Sequence, residues 1–359
     1  MKKLLVILLA FALCFSLAAC GGGGGSPEPA PEPVTDEEEE FEPEEIGADE
    51  PANDPDQGGY VGGTFNNSIG SFSITTEWIP LDTPLLIEDD FSNGIEIAYA
   101  NGSYYLHKSD RSEPSILGEY DLTGDLLVFS KKINLPGLKY EDLCADDKGV
   151  LYLSGFSAKL CAIKDGAVIF EDKGLSGPKH LSMHPSGEWG ISWYSSISTG
   201  RNNIVKLVGD SEIEDGAALE VSDLKTVLEC SVTKNNIFLF GMKDSKTIIR
   251  VFDTGGNVKY DMGDGDRAWD GVTVAEGRVV ETNNGFITVN KFGSLVFFDT
   301  NGYLIGEIKA SDLFGTPSSH SRSLMRSAQL LDDGSIILSV AVPRDGSGSE
   351  VAVYRLTGF

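Results

Sequence analysis

Chemistry in this chain has few places to start. Its four histidines include His180 and His184, four residues apart. On a strand that spacing puts both rings on one face, which could suit a metal, but no third ligand accompanies them. The stretch GDGDRAWDG (263–271) sets Asp264, Asp266 and Asp270 in a Gly-rich loop. Spaced carboxylates of this kind can take Ca²⁺, yet the third aspartate and a terminal glutamate miss the positions an EF-hand loop needs. A solvated turn is the plainer reading, with calcium the lesser alternative. The sequence holds no Gly-x-Ser-x-Gly, no P-loop, no His-Glu-x-x-His and no Cys-x-x-Cys. No catalytic residue, metal ligand or cofactor is therefore assigned.

The elements that would position a site are strands. An apolar run, a tight turn and a second apolar run recur through the chain, as in IAYANGSYYL, LCADDKGVLYL and QLLDDGSIIL. The turn residues are Gly102, Gly149, Gly187, Asn236, Gly285 and Gly334, in steps of 47, 38, 49, 49 and 49. A second turn follows most of them, at Gly124, Gly166, Gly256, Gly302 and Gly358, with a degenerate third unit near Val208-Gly209-Asp210. Hairpins of this type, rich in β-branched and aromatic residues, argue for four strands per unit, lettered a to d from the inside out. Units of this length and content describe an all-β fold, a six-bladed β-propeller. The "DxxG" turns resemble NHL-type propeller repeats. MHPSGEWGISW (183–193) is similar to the Pro-x-Gly turn of Tol-associated six-bladed propellers. Both resemblances imply architecture and no particular activity.

The last unit ends at Phe359 after three strands. SFSITTEWIPL (71–81) is a strand without a blade of its own, and placing it as strand d of the last blade closes the ring. A seven-bladed ring using residues 60–95 is the alternative. The propeller is thus expected over residues 71–359.

In such a ring the d–a and b–c loops share one face, the expected ligand face. It would carry Arg111, Arg201, Arg267, Arg322 and Arg344, five of nine arginines, with Tyr194, Trp269, Asp270 and His320. Arginine beside aromatics is the composition of a recognition surface. The turn from Asp299 to Gly302 would point the other way.

The N-terminus supplies the most specific chemistry. Lys2 and Lys3 precede an apolar run from Leu4 to Phe15, which ends at Leu17-Ala18-Ala19-Cys20. This order is that of a secretory signal of residues 1–19, and a Cys directly after Leu-Ala-Ala resembles the lipobox of bacterial lipoproteins. The resemblance implies that Cys20 is lipidated and becomes the first mature residue. It also implies export, with anchoring to the outer face of the bacterial cell membrane, at the cell surface or in the periplasm. Residues 20–70 read as a disordered Gly/Pro/Glu-rich tether, since Gly21 to Gly59 holds 14 Asp and Glu and no Lys or Arg.

The net charge is −27, which disfavours nucleic acid as a partner. Cys144, Cys161 and Cys230 remain for the folded part. Cys144 and Cys161 fall on strands that flank a third, too far apart for a disulfide. The composition favours a non-catalytic binding or scaffold module for a peptide, a glycan or another envelope protein. The alternative is an envelope carbohydrate hydrolase or lyase working in the central channel. Carboxylates and histidine converging at the channel mouth would favour the enzyme.

Overall fold

The computed structural model describes residues 64–83, 85–87, 95–108, 115–136, 140–155, 160–171, 180–193, 203–208, 212–269, 271–274, 277–290, 293–314, 324–343 and 349–359. The expected signal, Cys20 and the expected acidic tether as far as residue 63 lie outside them. Among the described residues, no helix is long and apolar enough to cross a membrane.

Six antiparallel sheets form the blades, each running outward from an inner strand. The inner strands are Ile95–Ala100, Asp142–Ala145, His180–Met183, Thr226–Val232, Val279–Thr282 and Leu324–Leu330. Each touches the next in cyclic order, and the last touches the first. The six-bladed ring expected from the sequence is thereby closed.

Both faces of each blade are largely buried along its inner strands, so strand alternation becomes alternation between two neighbours. Ile97 packs toward blade 6 and Ala98 toward blade 2. In blade 4, Ile237 and Leu239 face blade 3, whereas Phe238 and Phe240 face blade 5. Phe297 and Phe298 divide in the same way between blades 6 and 4. The continuous apolar runs of the b and c strands follow from this, since neither face meets water.

Blade 6 is closed from the other end of the chain. Strand Phe72–Ile79 pairs with Ser349–Thr357, setting Thr75 against Thr357 and Ile79 against Val353. Phe72, Ile74 and Ile79 are buried there. The boundary expected at residue 70 falls inside the fold, because Thr64–Ile69 forms a further strand on the outer edge of Phe72–Ile79. Its sequence, TFNNSI, is half exposed and polar. Among the described strands it pairs with the closing strand alone, so hydrophobic pattern alone does not reveal it.

Cys144 and Cys161 lie on either side of Leu151–Ser154, opposite Tyr152 and Leu153, and both thiols are free. Gly302 shows why one turn needs glycine. Its φ is 81°, and a Cβ there would come within 2.7 Å of the Tyr260 ring.

Replacing Ile74 by Ala should cost about 2–4 kcal/mol if its strand seals the ring. Chemical denaturation measures this, and an unchanged midpoint would contradict closure by the N-terminal strand.

Candidate functional site

The inner strands bring an unusual set of side chains to the channel. Glu96, Asp142, His180, Glu229, Arg278 and Ser327 come one from each blade, at matching places near the starts of the inner strands. Their partners on the second strands are His107, Ser154, Trp193, Phe240, Val289 and Ser339. Arg278 reaches across the ring. Its Nη2 lies 3.7 Å from Glu96 Oε2 and 3.6 Å from Asp142 Oδ1, and its Nη1 lies 3.8 Å from Glu229 Oε1. His180 Nδ1 meets Asp142 Oδ2 at 2.6 Å, and its ring stacks on Trp193. Ser154 donates to the same carboxylate oxygen.

These groups are almost dry, and Arg278 is only 7% exposed. Burial raises the Glu96 carboxyl to about 8, against the pull of Arg278. Glu229 is raised to about 7 for the same reason. Burial would also raise Asp142, but the charge and hydrogen bond of His180 outweigh it and hold Asp142 below its usual value. Burial pulls His180 down, and Asp142 more than restores it, to about 9. The consistent state near neutrality has ionised Asp142, cationic His180 and Arg278, and at least one carboxyl keeping its proton. Opposite Glu96, His107 is fully buried with both ring nitrogens unpartnered, and burial lowers it to about 4.

From this charged layer a cavity of about 670 Å³ runs along the channel toward the a–b turns. Ser182, Ser231, Ser327, Gln329 and Arg278 line its body. Asp147, Lys234, Asn235, Asn283 and Asp332 stand exposed at its mouth. Of this set Arg278 and Ser327 line the cavity, whereas Glu96, Asp142, His180 and Glu229 are not among its lining residues.

The rim is stitched from turn to turn. Asn101 donates to the Gly149 carbonyl, and the Asp147 amide donates to the Pro185 carbonyl. His184 Nε2 donates to the Lys234 carbonyl, and Asn235 donates to Glu281. Gln329 makes two bonds to the Tyr99 backbone, joining blade 6 to blade 1. His180 and His184 thus serve separate networks. His184 Nδ1 accepts from Ser186, and its ring stacks on Trp189.

The expected ligand face had been the other one. Arg111, Tyr194, Arg201, Asp270, His320, Arg322 and Arg344 lie outside the described residues. Trp269 is half-buried and tilted against Phe298. Arg267 is clamped between the Tyr260 and Tyr303 rings and donates to the Asn301 carbonyl at 2.8 Å. The turn from Asp299 to Gly302 therefore meets Arg267 rather than pointing away from it. Strand twist accumulates outward along a blade, which lays the outer edge of blade 4 across the outer turn of blade 5. In the acidic loop, Asp264 is held by Lys243 at 3.0 Å. Among the described residues, no three His, Cys, Asp or Glu side chains converge as a metal set.

Sequence reasoning missed Arg278, Glu96, Asp142 and Glu229. The signal was available: Asp142, His180, Glu229 and Arg278 each stand seven residues before their turn residue, and Glu96 stands six before Gly102.

This chain is a six-bladed β-propeller by its own strand pairing. No family model matches it, and no curated protein does. Among solved structures, the WD40 β-propeller domain of Doa1 is similar, at 12% identity and a TM-score of 0.48, covering 83% of this chain and 97% of that one.

The charged layer predicts an alkaline loss of stability. Glu96 holds a proton in the fold that the unfolded chain has already lost above about pH 5. His180 does so above about pH 6.5. Stability should therefore fall as pH rises from 7 to 9, with roughly one to two protons taken up on folding near pH 7.5. Glu96→Gln should flatten this fall. Thermal melts across that range measure it, and a flat wild-type profile would contradict the assignment.

Proposed function

We propose that this is a lipid-anchored envelope protein whose propeller is a binding module, with the central channel as its binding site. The observation that carries the site is the open cavity with the buried Arg278 at its floor. The cavity falls within the size range of small-ligand pockets, and its mouth is polar and accessible at the a–b turns. A peptide, a glycan or an exposed segment of an envelope protein could enter there.

A hydrolase or lyase would need its acid and base on the cavity surface, within reach of substrate. Carboxylates and a histidine do converge, but around Arg278 and off the cavity lining rather than at the mouth. Asp142 is committed to His180 and Ser154. That arrangement supports binding over turnover.

The anchor reading rests on Lys2, Lys3, the apolar run and Cys20. Lipid on Cys20 would hold the protein to the membrane, and the acidic stretch that follows would carry the propeller away from the surface. It would extend by charge repulsion and proline stiffness.

Two changes test the proposal together. Cys20→Ser should move the protein from the membrane to the soluble fraction, and a mutant that still pellets with membrane would contradict the anchor. In capture from envelope extract, reversing the rim charge with Asp147→Lys and Asp332→Lys should abolish partner recovery while leaving the melting temperature unchanged. Equal recovery would remove the channel mouth as the binding site.

A further inference from the structure

Five of the six joints between blades carry a polar fastening beside the channel. Two residues along each inner strand from the charged layer stand Ala98, Cys144, Ser182, Ser231, Val280 and Gln329. Cys144 Sγ lies 4.0 Å from the Leu181 carbonyl, Ser182 and Ser231 accept from the Val232 and Val279 amides, and Gln329 bonds to the Tyr99 backbone. Ala98 has no polar side chain, but its joint is bridged at the turn by Asn101 and Gly149. At the joint between blades 5 and 6, Val280 offers no polar group either. Thr282 and the Asn284 amide bond within their own turn, and among the described residues no hydrogen bond joins this turn to that of blade 6.

This joint is closed by packing instead. Val280, Ile287 and Val289 of blade 5 share one cluster with Ala328, Leu338 and Val340 of blade 6. Leu330, on the same strand face as Ala328, lines the cavity at 40% exposure. Apolar packing is non-directional, so it holds the joint without fixing its width as hydrogen bonds would.

On the outside, the same joint is crossed by the edge strand Thr64–Ile69. It pairs with Phe72–Ile79 of blade 6 and also reaches the outer strand of blade 5. Asn67 donates to the Asp312 carbonyl at 3.0 Å. Ile69 and Ile305 interlock through two glycines. A Cβ at Gly306 would come within 2.6 Å of Ile69, and one at Gly70 within 2.6 Å of Ile305. Along its length the strand is half exposed, and its free end is the Thr64–Glu77 pair. Elements with few buried contacts and exposed backbone bonds open locally, at less cost than global unfolding.

We propose that Thr64–Ile69 is a strap that holds shut the joint between blades 5 and 6, and that its release widens the channel cavity at Val280 and Leu330. As a gate to a binding site this rests on the channel reading; as a moving joint it does not, and it is tested with no ligand present. The chain before Thr64 leads back to the acidic stretch, so tension on that stretch is the input the strap would read.

Hydrogen exchange of the full-length Cys20→Ser protein, followed by mass spectrometry, tests the strap. Asn67→Ala with Ile69→Ala should raise exchange several-fold at Val279–Thr282 and Leu324–Leu330, leaving His180–Met183 unchanged. Asn66 and Thr75 face one another, with their side chains bonded at 2.9 Å. Asn66→Cys with Thr75→Cys should therefore lock the strap as a disulfide and slow exchange at the same two strands, reversibly on reduction. Cys144 lines the cavity and reports its opening. Its alkylation by a maleimide should run several-fold faster in the alanine variant than in the parent, and slowest in the locked form. Equal exchange in all three proteins, or a rise spread over all six blades, would overturn the strap. Altered exchange with equal Cys144 alkylation would overturn the gate, whatever the rim variants show for the envelope partner.

Discussion

A guanidinium held near the axis of the ring is the interaction on which the rest of the channel depends. Arg278 can sit there because three carboxylates from blades 1, 2 and 4 surround it, and because His180 takes up part of their charge. Removing one member of such a buried set leaves charge uncompensated, at a cost of about 3–5 kcal/mol. The same set lies at the inner end of the cavity, where Arg278 and Ser327 are the members that line it. Stability and site are therefore one piece of chemistry. The groups that hold the inner strands together also define what the cavity offers a ligand.

The ring that carries this layer is a closed apolar system with polar fastenings. Between blades, alternate residues of each strand serve alternate neighbours, as Phe297 and Phe298 do. Next to the axis, where side chains thin out, serines take over. Ser182, Ser231 and Ser327 each bond to the backbone of the following inner strand. The last fastening is Phe72–Ile79, which joins the beginning of the propeller to its end. If Cys20 carries lipid, any pull through the tether arrives first at the edge strand Thr64–Ile69, and only then at the strand that closes the ring.

The sequence made the architecture legible because turn glycines and apolar runs are local signals that repeat. Gly102, Gly149 and Gly334 mark hairpins without knowledge of their neighbours, and the lone strand before the first blade predicts how the ring closes. The charged layer is different in kind. Glu96, Glu229 and Arg278 sit among apolar residues in separate repeats, and each alone reads as an ordinary strand residue. Only the ring brings both glutamates within 4 Å of Arg278. The arginines of the loops attracted notice because exposed charge beside aromatics suggests recognition. Arg267 instead fills its two faces with Tyr260 and Tyr303, a contact set by strand twist between blades, which composition does not encode. The edge strand Thr64–Ile69 escaped for a third reason: its polar alternation becomes a strand only against a neighbour.

The most direct test of the channel floor is a pH titration of the glutamate side-chain carboxyl carbons by NMR, with Glu96 and Glu229 assigned through their glutamine variants. A protonated Glu96 signal persisting to about pH 8, with Glu229 titrating near 7, is the predicted result. Ordinary titration of both between about pH 4 and 5 would contradict a dry floor built around Arg278.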